Sequence, residues 1–113
     1  MNVTVSAKGM DVDDSLREQA ERRVLFGLGR FAPKVGKVRV RLEDVNGPRG
    51  GEDIRCQVDV RLLDGGRLLA EDLDADVRNA VDRAVDKASR AVARQLERER
   101  GGRALPVMEG GGR

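Results

Sequence analysis

Several residue types that supply enzyme chemistry are absent or scarce in this sequence of 113 residues, which has no His, Trp or Tyr, one Cys and two Phe. Without His, neither a Ser-His-Asp triad nor a His-ligated metal site can be assembled. One Cys cannot form an internal disulfide or a multi-Cys zinc site. Two Phe cannot build the aromatic platform on which many single-strand RNA binders stack bases. We therefore expect a binding or structural protein rather than an enzyme, with no cofactor, metal or small-molecule substrate.

Long apolar runs are also missing, because no segment approaches the ~20 residues that span a bilayer. The start of the chain lacks the basic and apolar regions of a signal peptide. These features predict a soluble, cytoplasmic protein without membrane contact. The length is that of one domain. The net charge of +2, from 22 basic and 20 acidic residues, does not by itself predict a partner. The positions of the charges are therefore more informative than their sum.

Hydrophobic periodicity predicts six secondary-structure elements. Alternating residues predict strands over about 2–8, 37–45, 53–62 and 67–72. Helical spacing predicts one helix from Asp13 to about Arg30 and another from Asp74 or Asp76 to about Arg100. Asp13 is the expected N-cap of the first helix, and a capping box formed by Ser15 and Glu18 is the alternative. Pro33 is expected to end that helix, and the segment 64–66 is a predicted hairpin turn. The phase of the fourth strand is ambiguous.

The element order β-α-β-β-β-α predicts an α+β single domain. We expect the first two strands to be parallel, the last three to form an antiparallel meander, and both helices to pack on one face of the four-stranded sheet. Residues 1–100 form the predicted domain and 101–113 a flexible tail. The glycine-rich segment 46–51 is a predicted long turn that lacks the features of a phosphate-binding loop.

The apolar stripe of the first predicted helix leaves Leu25 and Phe26 outside it. We expect Phe26 to pack against a neighbouring loop or helix rather than to be an exposed contact residue. Cys56 falls on the inward side of the third strand and is expected to be a core residue. The outward side of the sheet mixes basic and acidic residues, and cross-strand pairing accounts for that mixture. These residues are Arg39, Arg41, Glu43, Asp53, Arg55, Asp59 and Arg61.

Five basic residues of the second predicted helix recur at spacings of three or four and lie within an arc of roughly 80°, nearly opposite its apolar face. They are Arg83, Lys87, Arg90, Arg94 and Arg98. Arg22, Arg23 and Arg30 of the first helix extend them into a two-ridged basic surface. Such a surface can neutralise RNA phosphates and release counterions. A solvated helix face with i,i+4 ion pairs such as Asp86–Arg90 explains the pattern equally well, so both interpretations stay open.

The sequence resembles the ribosome hibernation-promoting factor family, which includes the ribosome-associated inhibitor and the sigma-factor modulation and ribosomal subunit interface proteins. The element order carries this resemblance, together with the opening strand Val3-Thr4-Val5 and the helix start Asp13-Asp14-Ser15-Leu16-Arg17-Glu18. The closing run also matches, from Asp76-Val77-Arg78-Asn79-Ala80-Val81-Asp82 to Asp86-Lys87-Ala88-Ser89-Arg90. The match covers residues 2 to about 100. It implies a short form of the family, because the chain has no room for a C-terminal dimerisation domain.

This resemblance implies a bacterial protein that binds the small ribosomal subunit near the decoding region and silences translation under stress. There it would occupy the space that mRNA and tRNA need. The family's basic positions match Lys87, Arg90 and Arg94, with Arg23 and Arg30 as further RNA-binding candidates. A general double-stranded-RNA-binding module and a protein-binding adaptor that acts on a transcription factor are the alternatives. The expected partner of the leading hypothesis is ribosomal RNA.

Overall fold

The computed structural model describes residues 1–45 and 53–104, with side chains through residue 100. It contains four strands and two helices in the predicted order. These are β1 (Asn2–Lys8), α1 (Asp14–Leu28), β2 (Val35–Asp44), β3 (Ile54–Leu62), β4 (Arg67–Asp74) and α2 (Val77–Ala104). The α+β prediction is confirmed. The predicted turn at 46–51 lies outside the described residues. In the predicted tail 101–113, residues 101–104 continue α2 beyond its expected end near Arg100, and residues 105–113 lie outside the described residues.

The sheet has the strand order β1-β2-β3-β4. β1 is parallel to β2, while β2, β3 and β4 form an antiparallel meander, as predicted. In the hairpin between β3 and β4, Gly65 adopts a φ of 99°, a conformation that favours glycine. The backbone N–H of Gly66 donates to Asp64 Oδ1 over 2.8 Å, which closes this turn. β4 extends two residues beyond the prediction, and this extension brings Asp74 into the sheet.

The start of α1 follows the expected N-cap, because the backbone N–H of Leu16 donates to Asp13 Oδ1 over 2.8 Å. The end of α1 differs from the prediction. The α-helix stops at Leu28, and a 3₁₀ helix continues over Gly29–Lys34 with Pro33 inside it. Proline lacks a backbone donor, so a tighter, short helical segment replaces the last α-turn before β2 begins.

Both helices pack on the same face of the sheet, where α1 contacts β1 and α2 contacts β3 and β4. Asp76 caps α2 by accepting from the backbone N–H of Arg78 over 2.7 Å. The core combines alternating strand residues with one stripe from each helix. Its fully buried large side chains are Val24, Leu28, Val35, Val38, Val40, Leu42, Cys56, Val58, Val60, Val81, Val85 and Val92.

The two helices approach closely at Gly27. A Cβ at this position would lie 2.6 Å from Val85 Cγ1, so only glycine allows the observed contact. The expectation for Phe26 is wrong: its side chain is 85% exposed. Phe26 follows the outer side of α1, and its described neighbour is the Arg23 guanidinium, 5.7 Å from the ring centroid. Phe31 instead packs against the core.

Candidate nucleic-acid interface

The basic surface predicted on α2 lies on the exposed side of the helix, and its first half lies beside the edge strand β4. All five of its residues are exposed: Arg83, Lys87, Arg90, Arg94 and Arg98. Their positions confirm the helical arc derived from the spacing. Their electrostatic environments, however, differ along the helix. We therefore treat separately the first half of α2, residues 77–88, and the second half, residues 89–100.

Acidic side chains of β4 bind the two cations in the first half of α2. Arg83 Nη1 donates to Asp74 Oδ2 over 2.8 Å, and Arg83 Nε lies 3.6 Å from Asp72 Oδ2. Lys87 Nζ lies 3.3 Å from Asp72 Oδ2 and 3.2 Å from the backbone oxygen of Glu71. Asp72 and Asp74 are register partners of Cys56 and Ile54 on the helix-facing side of the sheet. The strand edge therefore anchors this half of the basic row.

Both β4 carboxylates are held in the ionised form. The backbone N–H of Leu73 lowers the pKa of Asp72, and Lys87 and Arg83 lower it further. The backbone N–H of Asp76 lowers the pKa of Asp74, with Arg83 adding to the effect. Hydrogen bonds to a carboxylate favour its charged state. The ion pairs with Arg83 and Lys87 are therefore intact at neutral pH.

The neighbouring thiol of Cys56 has the opposite shift. Burial raises its pKa to about 12, and the nearby charge of Asp72 raises it as well. A thiol in this environment stays protonated and is a poor nucleophile. Cys56 is buried in the core, as expected.

Arg23 of α1 occupies a different position from the outward ridge that the spacing suggested. Its Nε donates to Asp82 Oδ1 over 3.0 Å and its Nη2 to Asp86 Oδ1 over 2.5 Å, and its side chain is only 20% exposed. These bonds join α1 to α2. The i,i+4 ion pair between Asp86 and Arg90, which the sequence pattern allowed, does not form. Asp86 is bound instead by Arg23 of α1. Arg23 thereby neutralises acids that lie beside the basic row.

The cations in the second half of α2 are available to a ligand. Within the described part of the chain, Arg90 and Arg94 make neither an ion pair nor a hydrogen bond through their side chains. Arg98 Nη2 donates only to Gln95 Oε1, over 3.3 Å. A guanidinium offers five N–H donors, so these three residues retain nearly all of their hydrogen-bonding capacity.

A groove beside the second half of α2 brings Arg30 into the same region. The 3₁₀ helix forms its other wall, and its volume is about 480 Å³. The Arg30 guanidinium stacks 4.6 Å from the centroid of Phe31, which fixes its direction. The groove is lined by Arg30, Phe31, Pro33, Lys34, Ala93, Leu96, Glu97 and Arg100. Three of these eight residues are basic and one, Glu97, is acidic, so the groove adds cations beside the second half of α2.

Sequence reasoning missed the contribution of Asp72 and Asp74. Their i,i+2 spacing places both on one side of a strand, and this was a usable signal. The side could not be chosen, because Leu68 and Ala70 support one phase while Leu69 and Leu73 support the other. In the structure, Leu68 and Ala70 face the core and the two aspartates follow them.

Residues 1–45 and 53–104 show neither a metal-binding cluster nor a membrane-spanning helix. No group of three or more His, Cys, Asp or Glu side chains in these ranges is arranged to hold a metal ion. No helix in them is both long and apolar enough to cross a membrane.

Comparison with known proteins places this geometry in a family. A family model described as sigma 54 modulation protein / S30EA ribosomal protein matches residues 3–100. The Protein Y N-terminal domain from Thermus thermophilus is similar in structure, with a TM-score of 0.70, 27% identity, and coverage of 83% of this chain and 98% of that one. A ribosomal subunit interface protein from Coxiella burnetii has a TM-score of 0.71 at 16% identity, with coverage of 86% and 99%.

The Coxiella similarity supports the fold alone, because its identity is low. No curated protein matches the chain in sequence. The family match nevertheless extends from the first strand to the last helix and includes all seven predicted RNA-binding residues. These are Arg23, Arg30, Arg83, Lys87, Arg90, Arg94 and Arg98. The chain therefore belongs to the sigma 54 modulation protein / S30EA ribosomal protein family.

Proposed function

We propose that this protein binds the small ribosomal subunit, fills the channel used by mRNA and tRNA, and thereby inhibits translation under stress. The observation that carries the proposal is the pair of exposed, unpaired guanidinium groups of Arg90 and Arg94 on a long helix. Family membership and the similarity to a Protein Y domain support the ribosome as the partner. Such a protein acts in the cytoplasm.

The proposed mechanism is steric and needs no chemical step. Arginine forks bind phosphate oxygens in a fixed geometry, and each neutralised phosphate releases counterions. Helix α2 holds its cations on a rigid axis, so they match the shape of folded RNA rather than a base sequence. Once docked, the domain excludes other ligands from the volume it fills.

The seven candidate residues have different proposed roles. Arg90, Arg94 and Arg98 bind RNA phosphates directly, and Arg30 contributes from the adjacent groove. Arg83 and Lys87 bind phosphate more weakly, because Asp72 and Asp74 already neutralise part of their charge. Arg23 acts chiefly by holding α1 against α2 and by neutralising Asp82 and Asp86.

Co-sedimentation with purified small subunits at several salt concentrations tests this proposal. The Arg90→Gln/Arg94→Gln variant should bind at least about tenfold more weakly, with a slope of log K against log[salt] that is shallower by about 2. Arg83→Gln/Lys87→Gln is the matched control, since it removes the same charge from the same helix. Its loss should be smaller. Equal binding by wild type and the Arg90/Arg94 variant would overturn the assigned surface.

Two further measurements separate the proposed function from its alternatives. Wild-type protein should inhibit translation in a reconstituted system, and added small subunits should relieve this inhibition by titration. Comparable affinity for a plain RNA duplex and for small subunits would favour the general double-stranded-RNA-binding module instead. Salt-insensitive binding to a transcription factor, without retention on ribosomes, would favour the adaptor.

A further inference from the structure

The outward side of the sheet, opposite the helices, carries an excess of positive charge. Within the four strands, alternation places seven cations and three carboxylates on it, and Asp53, immediately before β3, has the same parity. The cations are Lys8, Lys37, Arg39, Arg41, Arg55, Arg61 and Arg67, and the carboxylates are Glu43, Asp59 and Glu71. The sequence pattern suggested that cross-strand pairing would consume these charges. The structure shows that pairing is confined to part of the surface.

In the β3–β4 half of this side, the acidic side chains are bound by neighbouring side chains of the same two strands. Asp59 is 7% exposed and accepts two bonds from Arg67, at 3.1 and 3.0 Å, while Arg61 lies 3.9 Å away. Gln57 Nε2 donates to Glu71 over 2.9 Å. Each acid of this half therefore already has a partner on the same surface.

The β1–β2 half has no such balance. Lys8, Lys37, Arg39 and Arg41 are exposed, and their side chains make no ion pair or hydrogen bond with any described residue. Its one carboxylate, Glu43, is 3.3 Å from Arg55 Nη1 of β3. Four cations without a bound partner therefore share this half, although Lys8 lies opposite Glu43 and Arg39 opposite Asp59 in the strand register. They repel one another unless an anion joins them.

The arrangement of these cations is regular. Lys37, Arg39 and Arg41 alternate along β2, so their Cα atoms are about 6.6 Å apart at each two-residue step. Beside them lie Asn2, Thr4 and Ser6 of β1, which are paired in register with Lys37, Arg39 and Arg41. These exposed small polar side chains form a low shelf along the cationic row. An extended polyanion can approach the row over these small side chains, because Asp59, the register partner of Arg39, is 7% exposed and bound by Arg67, and Glu43 is bound by Arg55.

We infer that this cationic row and its polar shelf form a second RNA-phosphate-binding surface, on the side of the domain opposite the helices. The inference rests on the proposed ribosome binding and deepens it: the domain contacts RNA on two opposite sides. A folded RNA with two backbone segments facing each other would hold the domain between them. Single-sided binding would leave these four cations without a bound anion.

Charge and shape favour RNA over an acidic protein as the occupant of this surface. Protein interfaces are anchored by buried aromatic or aliphatic side chains. The exposed leucines Leu69 and Leu73 of this sheet side lie on β4, two strands away from the cationic row, and the exposed Leu63 lies beside Gly36 at one end of the row. Apart from Glu43, which is bound by Arg55, the row and the outward side of β1 carry cations and small polar groups, which suit a phosphate backbone.

A comparison of matched charge variants tests the inference. Arg39→Gln/Arg41→Gln removes two free cations, while Arg55→Gln/Arg61→Gln removes two paired cations from the same sheet side. With small subunits at ~0.1 M salt, the first variant should bind about tenfold more weakly than wild type, with a salt slope shallower by about 2. The second should change both quantities much less. Circular dichroism and thermal unfolding check that each variant is folded.

The outcomes distinguish this inference from the proposed function. If wild type does not bind small subunits, the proposed function fails. If wild type binds, loses affinity in Arg90→Gln/Arg94→Gln, and keeps its affinity and salt slope in Arg39→Gln/Arg41→Gln, only the second surface is overturned. Equal losses in the two sheet variants would also overturn it, because they would reflect net charge rather than position.

Site-directed crosslinking identifies the occupant. Thr4→Cys places a thiol beside Arg39, and the buried Cys56 does not compete for labelling. A photoreactive group at position 4 should crosslink to ribosomal RNA in the bound complex, at a segment different from that reached from Ala91→Cys on α2. Crosslinks from position 4 to protein alone, or no crosslinks while position 91 reacts, would contradict the second surface.

Discussion

The two halves of α2 carry the same basic periodicity in different surroundings. In the first half, Arg83 and Lys87 are bound by Asp72 and Asp74, while Arg23 holds the opposite flank. In the second half, Arg90 and Arg94 are exposed and make no ion pair within the described residues. Neighbours on other strands and helices therefore determine which cations are available to a ligand.

This difference divides α2 into an anchored half, residues 77–88, whose cations are bound by β4, and a displayed half, residues 89–100, whose cations are available to a ligand. Ion pairs at exposed sites contribute little to stability individually, typically less than about 1 kcal/mol. Their larger effect here is to join α2 to β4 and α1 and to neutralise Asp72, Asp74, Asp82 and Asp86. A helix fixed at one end presents charge with little loss of conformational entropy on binding.

The largest effect is expected from a substitution that disturbs the contact between α1 and α2 beside the anchored half of α2. Gly27→Ala places a methyl group 2.6 Å from Val85 Cγ1, so the helices must separate or Val85 must move. We expect a loss of about 1–3 kcal/mol in the free energy of unfolding. Urea-induced unfolding followed by circular dichroism measures it.

Gly29→Ala is the matched control for that substitution. No atom lies within 4 Å of a Cβ built at Gly29, and its backbone is already helical. Alanine there should leave stability unchanged or raise it by up to about 1 kcal/mol. Equal destabilisation by the two substitutions would contradict the tight contact at Gly27.

A smaller effect is expected from converting the anchored half into a displayed one. Asp72→Asn/Asp74→Asn frees Arg83 and Lys87 while preserving oxygen acceptors for the neighbouring backbone N–H groups. The affinity for small subunits should rise by roughly three- to tenfold, with a salt slope steeper by about 1–2. Asp11→Asn/Asp14→Asn changes the net charge equally and should have less effect, because neither acid contacts Arg83 or Lys87 and Asp11 lies beside Val77 and Arg78 at the start of α2. A lower affinity after the Asp72 and Asp74 substitutions would show that these acids position the cations for binding.

The smallest expected effect is a dependence of stability on pH. The pKa values of Asp72 and Asp74 are lowered in the folded protein, so the folded state binds fewer protons than the unfolded chain. Their contribution is complete above the unfolded value of about 3.9 and is lost as the pH falls through the lower native values. The difference in Tm between wild type and Asp72→Asn/Asp74→Asn should shrink below about pH 4. A difference that stays constant there would argue against these ion pairs.

The sequence was sufficient to predict those elements whose signal lies in neighbouring residues. Alternation identified the core side of β3 through Cys56 and Val58, and the Asp13 cap identified the start of α1. The burial of Phe26 was predicted wrongly. Helical periodicity shows that Phe26 lies outside the apolar stripe of α1, but it does not show whether another segment of the chain covers the side chain. The phase of β4 was undecidable because leucine occurs on both sides of the strand.

The sequence by itself determined the α+β fold, the basic row of α2 and the absence of His-based chemistry, because composition and periodicity are properties of neighbouring residues. Only the tertiary structure decided which cations are free. Arg23 meets Asp86 across 63 residues, and Arg83 meets Asp74 across nine. Ion pairing depends on distances of a few ångströms between side chains from different elements. Those distances exist only after the helices have packed on the sheet.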